Sequence, residues 1–259
     1  MSERPRVVVS AGASADGKVA LARDALLMRP PSSELWAALT PKASDAVDVI
    51  EVLRAQYGCN AFLEGSGSLV AENETPAALP AYDGDADGLY EHFLPADIVG
   101  QESPPHMWFT VVDGRGRVRW TEKHENWDAL VLVSRATPTD YLAYLRRERI
   151  CYLVTGDDHV DLPAAITAMG TELGITCVLS TAGGGLNGAL LRADLIDELY
   201  VTVLPALIGG LGTPSVMDGP PLAVGEPATQ LELLSAHTDT TGTVRLHYAV
   251  AGRRITLTS

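Results

Sequence analysis

Residues 180–210, STAGGGLNGALLRADLIDELYVTVLPALIGG, decide how this chain folds. Three consecutive glycines, Gly183, Gly184 and Gly185, separate a short β-rich run at 176–179 from a segment of helical spacing at 186–192. A glycine turn between strand and helix leaves the first helical N–H groups unpaired. It also aims the positive end of the helix dipole at the same point, which suits a phosphate or pyrophosphate. The same composition serves a tight strand-to-helix corner with no ligand, and it is not the G-x-G-x-x-G dinucleotide fingerprint. An acidic segment at 194–198, a strand at 199–204, Pro205 and Gly209-Gly210 follow.

Outward from there the chain alternates. A β-branched run at 6–10 predicts a first strand, and 44–57 carries Val47, Ile50, Leu53 and Arg54 at helical spacing before Gly58 and a strand at 60–63. Residues 75–105 dissolve into proline, glycine and aspartate, an excursion or lid rather than a core element. Order returns at 108–113, turns at 114–116 and resumes at 118–120. A strand at 129–133, a helix at 139–148, a strand at 151–155 and a helix at 162–173 behind an Asp161 cap then lead to 176–179. This alternation predicts an α/β fold with a mostly parallel central sheet and helices on both faces. The tail differs, because 230–236 and 243–250 read as an antiparallel hairpin around Thr241-Gly242. With no internal repeat and no linker, residues 1–259 read as a single domain.

Composition removes several function classes. A formal charge of −14 argues against nucleic acid as a partner, since such proteins show a basic face. Cys59, Cys151 and Cys177 are odd in number, far apart and set in apolar runs, so buried thiols in a reducing compartment are expected rather than a disulfide frame. The opening MSERPRVVVS lacks the apolar core of a signal peptide, and no run approaches the roughly 20 apolar residues of a membrane span. A soluble, cytoplasmic protein is expected. His92, His106, His124, His159, His237 and His247 show no zinc-binding spacing, so no metal site is expected, and Asp83, Asp85 and Asp87 read as a solvated loop.

Candidate binding groups cluster where strands end. Gly65, Ser66, Gly67 and Ser68 form a second glycine-bearing loop after a strand; its amides and hydroxyls suit a cofactor ribose or nicotinamide, or simply a turn. Asp113-Gly114-Arg115 and Ser134-Arg135 stand at strand C-terminal ends, where open α/β sheets bind ligands. Arginine suits a 2′-phosphate, so Arg115 and Arg135 favour NADPH over NADH, although either can be a solvated surface residue. No tyrosine has lysine four residues on, which argues against a short-chain dehydrogenase.

Three blocks in order carry a resemblance. Ser14-Ala15-Asp16-Gly17-Lys18 is similar to an S-x-D-G-K signature. Leu53-Arg54-Ala55, with the later run 61–73, AFLEGSGSLVAEN, is similar to L-R-A and D-A-I-L-V-G-x-G-T-V-L-x-D-N-P, and the glycine turn at 183–185 completes the set. Together they resemble the reductase domain of the bifunctional deaminase-reductases of riboflavin biosynthesis, whose fold is like that of dihydrofolate reductase. The resemblance implies cofactor contacts at Gly12, Ser68, Glu72, Gly114 and from Gly183 through Leu186, Asn187 and Gly188 to Ala189. It implies substrate sugar-phosphate binding at Arg54, and a homodimer that can use the C-terminal strands and the strand at 199–204. Glu72 replaces the pattern's aspartate and keeps its carboxylate.

Two departures touch substrate recognition. Ser10 stands where those enzymes carry Lys or Asn, and Thr181 where they carry a ring-gripping Glu; both remain candidate substrate-binding residues. The segment between Lys18 and Arg54 is also longer than usual and lacks the expected Trp-Ile or Trp-Ser step. No deaminase zinc motif occurs. Hydride transfer needs alignment of two carbons more than a side-chain triad, which leaves Asp16 and Lys18 as candidates for polarising or protonating the acceptor. The expected activity is NADPH-dependent reduction of a small heterocyclic or ribosylamino substrate, similar to 5-amino-6-(5-phosphoribosylamino)uracil. The alternatives are a related reductase of a specialised pathway and a cofactor-binding protein without catalysis.

Overall fold

The computed structural model describes residues 4–40, 48–100, 107–121 and 126–251. In chain order its elements are β1 (Arg6–Ser14), α1 (Ser32–Leu39), α2 (Val49–Tyr57), β2 (Ala61–Gly65), α3 (Ala96–Val99), β3 (Trp108–Val112), β4 (Asp128–Val133), α4 (Thr139–Arg147), β5 (Cys151–Val154), α5 (Leu162–Leu173), β6 (Cys177–Ser180), α6 (Gly184–Arg192), β7 (Glu198–Leu204), β8 (Leu231–Thr238) and β9 (Val244–Val250), with short 3-10 turns at Ser66–Ser68 and Asp87–Tyr90. The fold is α/β, as the alternation predicts. Two compact units divide the chain. The first holds the described residues through Arg6 with Leu53–Leu179; the second holds Val7–Val52 and the described residues from Ser180 on.

In the first unit the strand order is β5-β4-β3-β2-β6. β2, β3, β4 and β5 pair in parallel, with Ala61 opposite Trp108, Trp108 opposite Asp128 and Leu130 opposite Cys151. Parallel neighbours need crossovers, and α4 supplies the one from β4 to β5. Leu130, Val131, Leu132 and Val133 are all fully buried, the continuous apolar run of a strand covered on both faces. Val131, Val133, Tyr141, Leu142, Leu145 and Tyr152 join Leu89 in one cluster. α5 takes the boundaries its sequence dictates. Asp161 caps it by accepting from the Ala164 amide at 2.9 Å, and Gly174 ends it in the left-handed region at φ 63°.

The excursion after residue 75 has a definite use. Phe93 exchanges two backbone hydrogen bonds with Tyr152, at 2.9 and 3.0 Å, and the Val154 amide donates to His92 Nδ1 at 3.1 Å. These bonds close the outer edge of β5, which otherwise presents unpaired amides and carbonyls.

Within the second unit β1 pairs in parallel with β7, Val8 opposite Glu198 through Ser14 opposite Leu204. β9 runs antiparallel to β7 and to β8. The hairpin expected around Thr241-Gly242 is present. Asp239 Oδ1 accepts from the amides of Thr241 and Thr243 at 2.9 and 3.2 Å, and Gly242 takes φ 86°.

Four sequence expectations need correction. Residues 118–120 form no strand, because Val118 N–H donates to Asp113 Oδ2 and Trp120 N–H to the Tyr144 hydroxyl, so side chains consume the amides a ladder would use. α1 was not expected at all. The helix read at 44–57 begins at Val49, where Asp48 Oδ1 accepts from the Ile50 and Glu51 amides; residues 44–47 lie outside the described residues, as do His106 and His124. Finally, Cys59 and Cys177 form a disulfide, and Cys151 alone keeps a buried thiol. β6 lies next to β2, and the Asn60 amide donates to the Cys177 carbonyl, so residues 118 apart in sequence have Cα atoms 4.3 Å apart.

Candidate functional site

In the second unit β1 leads into a tight turn. Ser14 Oγ donates to Asp16 Oδ1 at 2.6 Å and accepts from the Lys18 amide at 3.0 Å, while Gly17 takes φ 77°. The Asp16 carboxylate also accepts from the amides of Ile208 and Gly209, at 3.1 and 2.7 Å, just beyond β7. The Ser14 hydroxyl first, then these two amides, hold its pKa down to about 2. A carboxyl held in this way staples the 206–209 loop to the turn after β1. Lys18 Nζ donates to the Thr213 carbonyl at 3.2 Å and is half-buried, which ties it to the same segment.

The glycine turn divides into two sets of residues. α6 starts at Gly184, with Gly183 as an N-cap in extended backbone (φ −69°, ψ 171°) and no side chain capping it. A Cβ on Gly184 would lie 2.1 Å from the Ser215 carbonyl oxygen and 2.8 Å from Asp218 Oδ2. On Gly188 it would lie 1.6 Å from the Asp218 carbonyl oxygen. Asn187 is fully buried: its Oδ1 accepts from Ser180 Oγ at 2.9 Å, and its Nδ2 donates to the Ala182 carbonyl at 2.9 Å and more weakly to that of Val216. Gly184, Asn187 and Gly188 therefore seat the 215–218 segment against α6. Gly183 and Gly185 are exposed, and a Cβ on either meets nothing within 4 Å. Their side of the helix end, with half-buried Leu186, is where an anion can approach the amides.

Ser10 and Gly12 of β1 pair with Tyr200 and Thr202 of β7, and Gly12 is exposed. Trp36 of α1 comes within 4.0 Å of where a Gly12 Cβ would be. Thr181 is half-buried after β6. Farther out, His247 Nε2 and Glu198 Oε2 lie 2.6 Å apart and buried.

The first unit aligns the C-terminal ends of β2, β3, β4 and β5 along one edge. After β2, Ser66 is buried and its carbonyl accepts from the amides of Leu69 and Val70. Ser68 Oγ donates to Glu64 Oε2 at 2.8 Å, while Gly67 stays open. Gly65 ends β2 half-buried, and Glu72 is exposed. After β3, buried Asp113 holds its turn by accepting from the amides of Arg117 and Val118, each at 2.8 Å. Thr137 Oγ1 donates to the Gly114 carbonyl at 2.8 Å and accepts from the Ser134 amide at 3.0 Å, locking the loops after β3 and β4 together. Ser134 Oγ is buried and has no hydrogen-bond partner among the described residues. Arg115 is exposed, and Arg135 lies 3.8 Å from Asp157 with both side chains largely in water, a weak pairing. Arg117 is committed to the carbonyls of Ala71 and Glu74. Arg54 sits with its guanidinium over the Phe62 ring at 5.8 Å.

Sequence reasoning missed Trp36, Ser215 and Asp218. Only the tryptophan left a signal, as an aromatic residue within the long segment after Lys18. Among the described residues no three His, Cys, Asp or Glu could hold a metal, and no helix is long and apolar enough to cross a membrane.

A family model described as the RibD C-terminal domain matches residues 5–245. The chain belongs to the RibD C-terminal domain family. This is the family the three sequence blocks resemble. A relative from Archaeoglobus fulgidus, named 2,5-diamino-6-ribosylamino-4(3H)-pyrimidinone 5′-phosphate reductase, is 28% identical over 83% of this chain and 87% of its own length. A protein of the same name from Methanothermobacter thermautotrophicus is 26% identical over 91% of this chain and 94% of its own. Among solved structures, a pyrimidine reductase-like protein from Corynebacterium diphtheriae superposes with a TM-score of 0.64, 15% identity and coverage of 96% and 93%, which shows a shared fold.

Proposed function

We propose that this chain is an NADPH-dependent reductase acting on a ribosylamino-pyrimidine 5′-phosphate. The observation that carries the reading is the uncapped N-terminus of α6 with Gly183 and Gly185 bare beside it, in a RibD-domain chain whose named relatives are reductases of such a compound. Backbone amides without a side-chain cap fit a pyrophosphate. Exposed Arg115 and Arg135 are the groups assigned to the preference for a 2′-phosphate, and Gly67 and Gly114 are backbone positions proposed for the cofactor.

When bound, the reduced nicotinamide supplies the hydride. The chain's own residues bind and orient. Amides at 183–186 hold negative charge, Arg54 is proposed for the substrate phosphate, and Ser10 and Thr181 for the heterocycle. Asp16 and Lys18 fix the 206–215 segment and leave proton delivery to another group. The relatives' names favour the diamino-pyrimidinone over the uracil form as substrate.

A homodimer accompanies this reading, with a second copy covering β8, where Leu231, Leu233 and Leu234 are all exposed. A cytoplasmic setting does too; there, cellular thiols would reduce Cys59–Cys177. The deciding experiment follows NADPH oxidation by the purified chain with each pyrimidine. The expected result is stoichiometric oxidation with a product two hydrogens heavier. NADPH binding without turnover on either compound would favour a non-catalytic binding protein.

A further inference from the structure

The two faces of β1 differ in character. Ala11 and Ala13 are buried with Val19, and half-buried Val201 and Val216 pack against them. Ser10 and Gly12 point to the other face, because successive residues of a strand alternate. Parallel register places Tyr200 beside Ser10 and Thr202 beside Gly12 on that face. Gly12 is exposed between two buried alanines, so the strand is bare there. α1 sets Trp36 next to the bare position, with Cζ2 4.0 Å from a Cβ built on Gly12. The indole is half-buried, and its N–H makes no hydrogen bond among the described residues.

Tryptophan is seldom fully buried, yet it is highly buried on average. Trp36 instead holds one edge against bare backbone and leaves ring surface accessible, beside a hydroxyl that can donate or accept and a phenol that can do the same. That combination suits a flat, polar-edged ring.

We propose that Trp36 is a specificity-determining residue whose indole forms the wall on which the substrate's heterocycle stacks, with Ser10 and Tyr200 facing the ring's polar edge. The inference rests on the reductase reading above. It assigns ring recognition to stacking from α1.

The test uses wild type, Trp36→Leu and Trp36→Phe, each titrated with 2,5-diamino-6-ribosylamino-4(3H)-pyrimidinone 5′-phosphate. Tryptophan fluorescence reports binding without NADPH, and steady-state kinetics report KM and kcat. The substrate is expected to quench wild-type emission, and Trp36→Leu to lose that quench. KM should rise about tenfold in Trp36→Leu with the loss falling on KM rather than kcat, and Trp36→Phe should recover most of it, as aromatic stacking predicts. Gly12→Val, which would push branched carbons into the gap against the indole, should raise KM in the same way with the tryptophan still in place. Active Trp36→Leu enzyme with wild-type KM, or an equal quench in both proteins, would overturn the stacking wall and leave the reductase reading intact. A wild-type protein that neither binds nor reduces the compound would remove both.

Discussion

The carbonyl oxygen of Asp218 occupies the space a side chain on Gly188 would need, 1.6 Å from the built Cβ. The Asp218 amide donates back to the Gly184 carbonyl at 2.9 Å, so helix and segment touch through backbone at both points. Backbone cannot step aside as the end of a flexible side chain can. Gly188→Ala should therefore destabilise the fold by about 3 kcal/mol or more, although alanine is the better helix former by about 1 kcal/mol. A melt should show a fall in Tm on the order of 10 °C. An unchanged Tm would mean that the 215–218 segment is not seated on α6.

Gly183 behaves oppositely, because it is a bare N-cap in extended backbone. Aspartate is among the preferred N-cap residues, so Gly183→Asp should leave stability unchanged or raise it by a few tenths of a kcal/mol. The same carboxylate takes up the amides proposed for the pyrophosphate and repels it. NADPH affinity should fall roughly tenfold or more while Tm holds or rises, a pairing of signs that general damage cannot produce. Fluorescence titration and a melt on one preparation check both. Wild-type affinity in the aspartate variant would move the cofactor away from α6.

These two glycines mark the limit of what sequence alone discloses. The alternation of strands and helices was legible because it rests on local signals: the buried run of β4, the Asp161 cap and Gly174 stop of α5, and the turn residues of the β8–β9 hairpin. The glycine run was legible as a strand-to-helix turn. Its division into exposed Gly183 and Gly185 and packed Gly184 and Gly188 was not, since the obstacle, Asp218, lies thirty residues beyond Gly188. α1 escaped for a similar reason. It has eight residues and no side-chain cap, and its Trp36 meets β1 more than twenty positions back along the chain. Residues 118–120 misled in the other direction: their composition is strand-like, but Asp113 and Tyr144 take their amides. Pairing of Cys59 with Cys177 depends on β6 lying next to β2, a long-range fact with no local trace.

Asp16 offers a prediction from pH. Its folded pKa lies near 2, below the ordinary 3.8, so its contribution to holding the 206–209 loop is fully present above about 3.8 and fades as pH drops toward 2. Across the neutral range the carboxylate stays charged, and kcat/KM should show no limb belonging to it. Asp16→Asn should loosen the loop and lower kcat/KM by roughly tenfold without shifting either apparent pKa of the profile. A limb that vanishes only in the asparagine variant would restore Asp16 as an acid in the reaction.

The three cysteines should differ in reactivity. Burial, reinforced by the charge of Asp128, pushes the Cys151 thiol up to about 12, so almost no thiolate exists near neutrality. Cys59 and Cys177 are joined in the unreduced protein. An alkylating reagent with mass readout should label no cysteine in the folded, unreduced chain, Cys151 alone after denaturation, and all three after denaturation and reduction. Labelling of Cys151 in the folded protein, at a rate faster than global unfolding, would contradict its burial.

The edge of β5 gives the last prediction. Phe93 donates its amide to Tyr152 and accepts one in return, while its ring stacks on Tyr152 at 5.7 Å and the Tyr152 hydroxyl donates to the Leu89 carbonyl at 2.7 Å. Phe93→Pro removes the donor and the ring together, leaving a buried carbonyl unpaired at a cost of about 1–3 kcal/mol in addition to the lost packing. The exposed strand edge then becomes a template for another chain. Lower Tm should be accompanied by concentration-dependent scattering on warming. Phe93→Leu, which keeps the amide and much of the apolar surface, should lose stability without the scattering. If the leucine variant aggregates as readily as the proline one, the backbone bonds at 93 are not what shields β5.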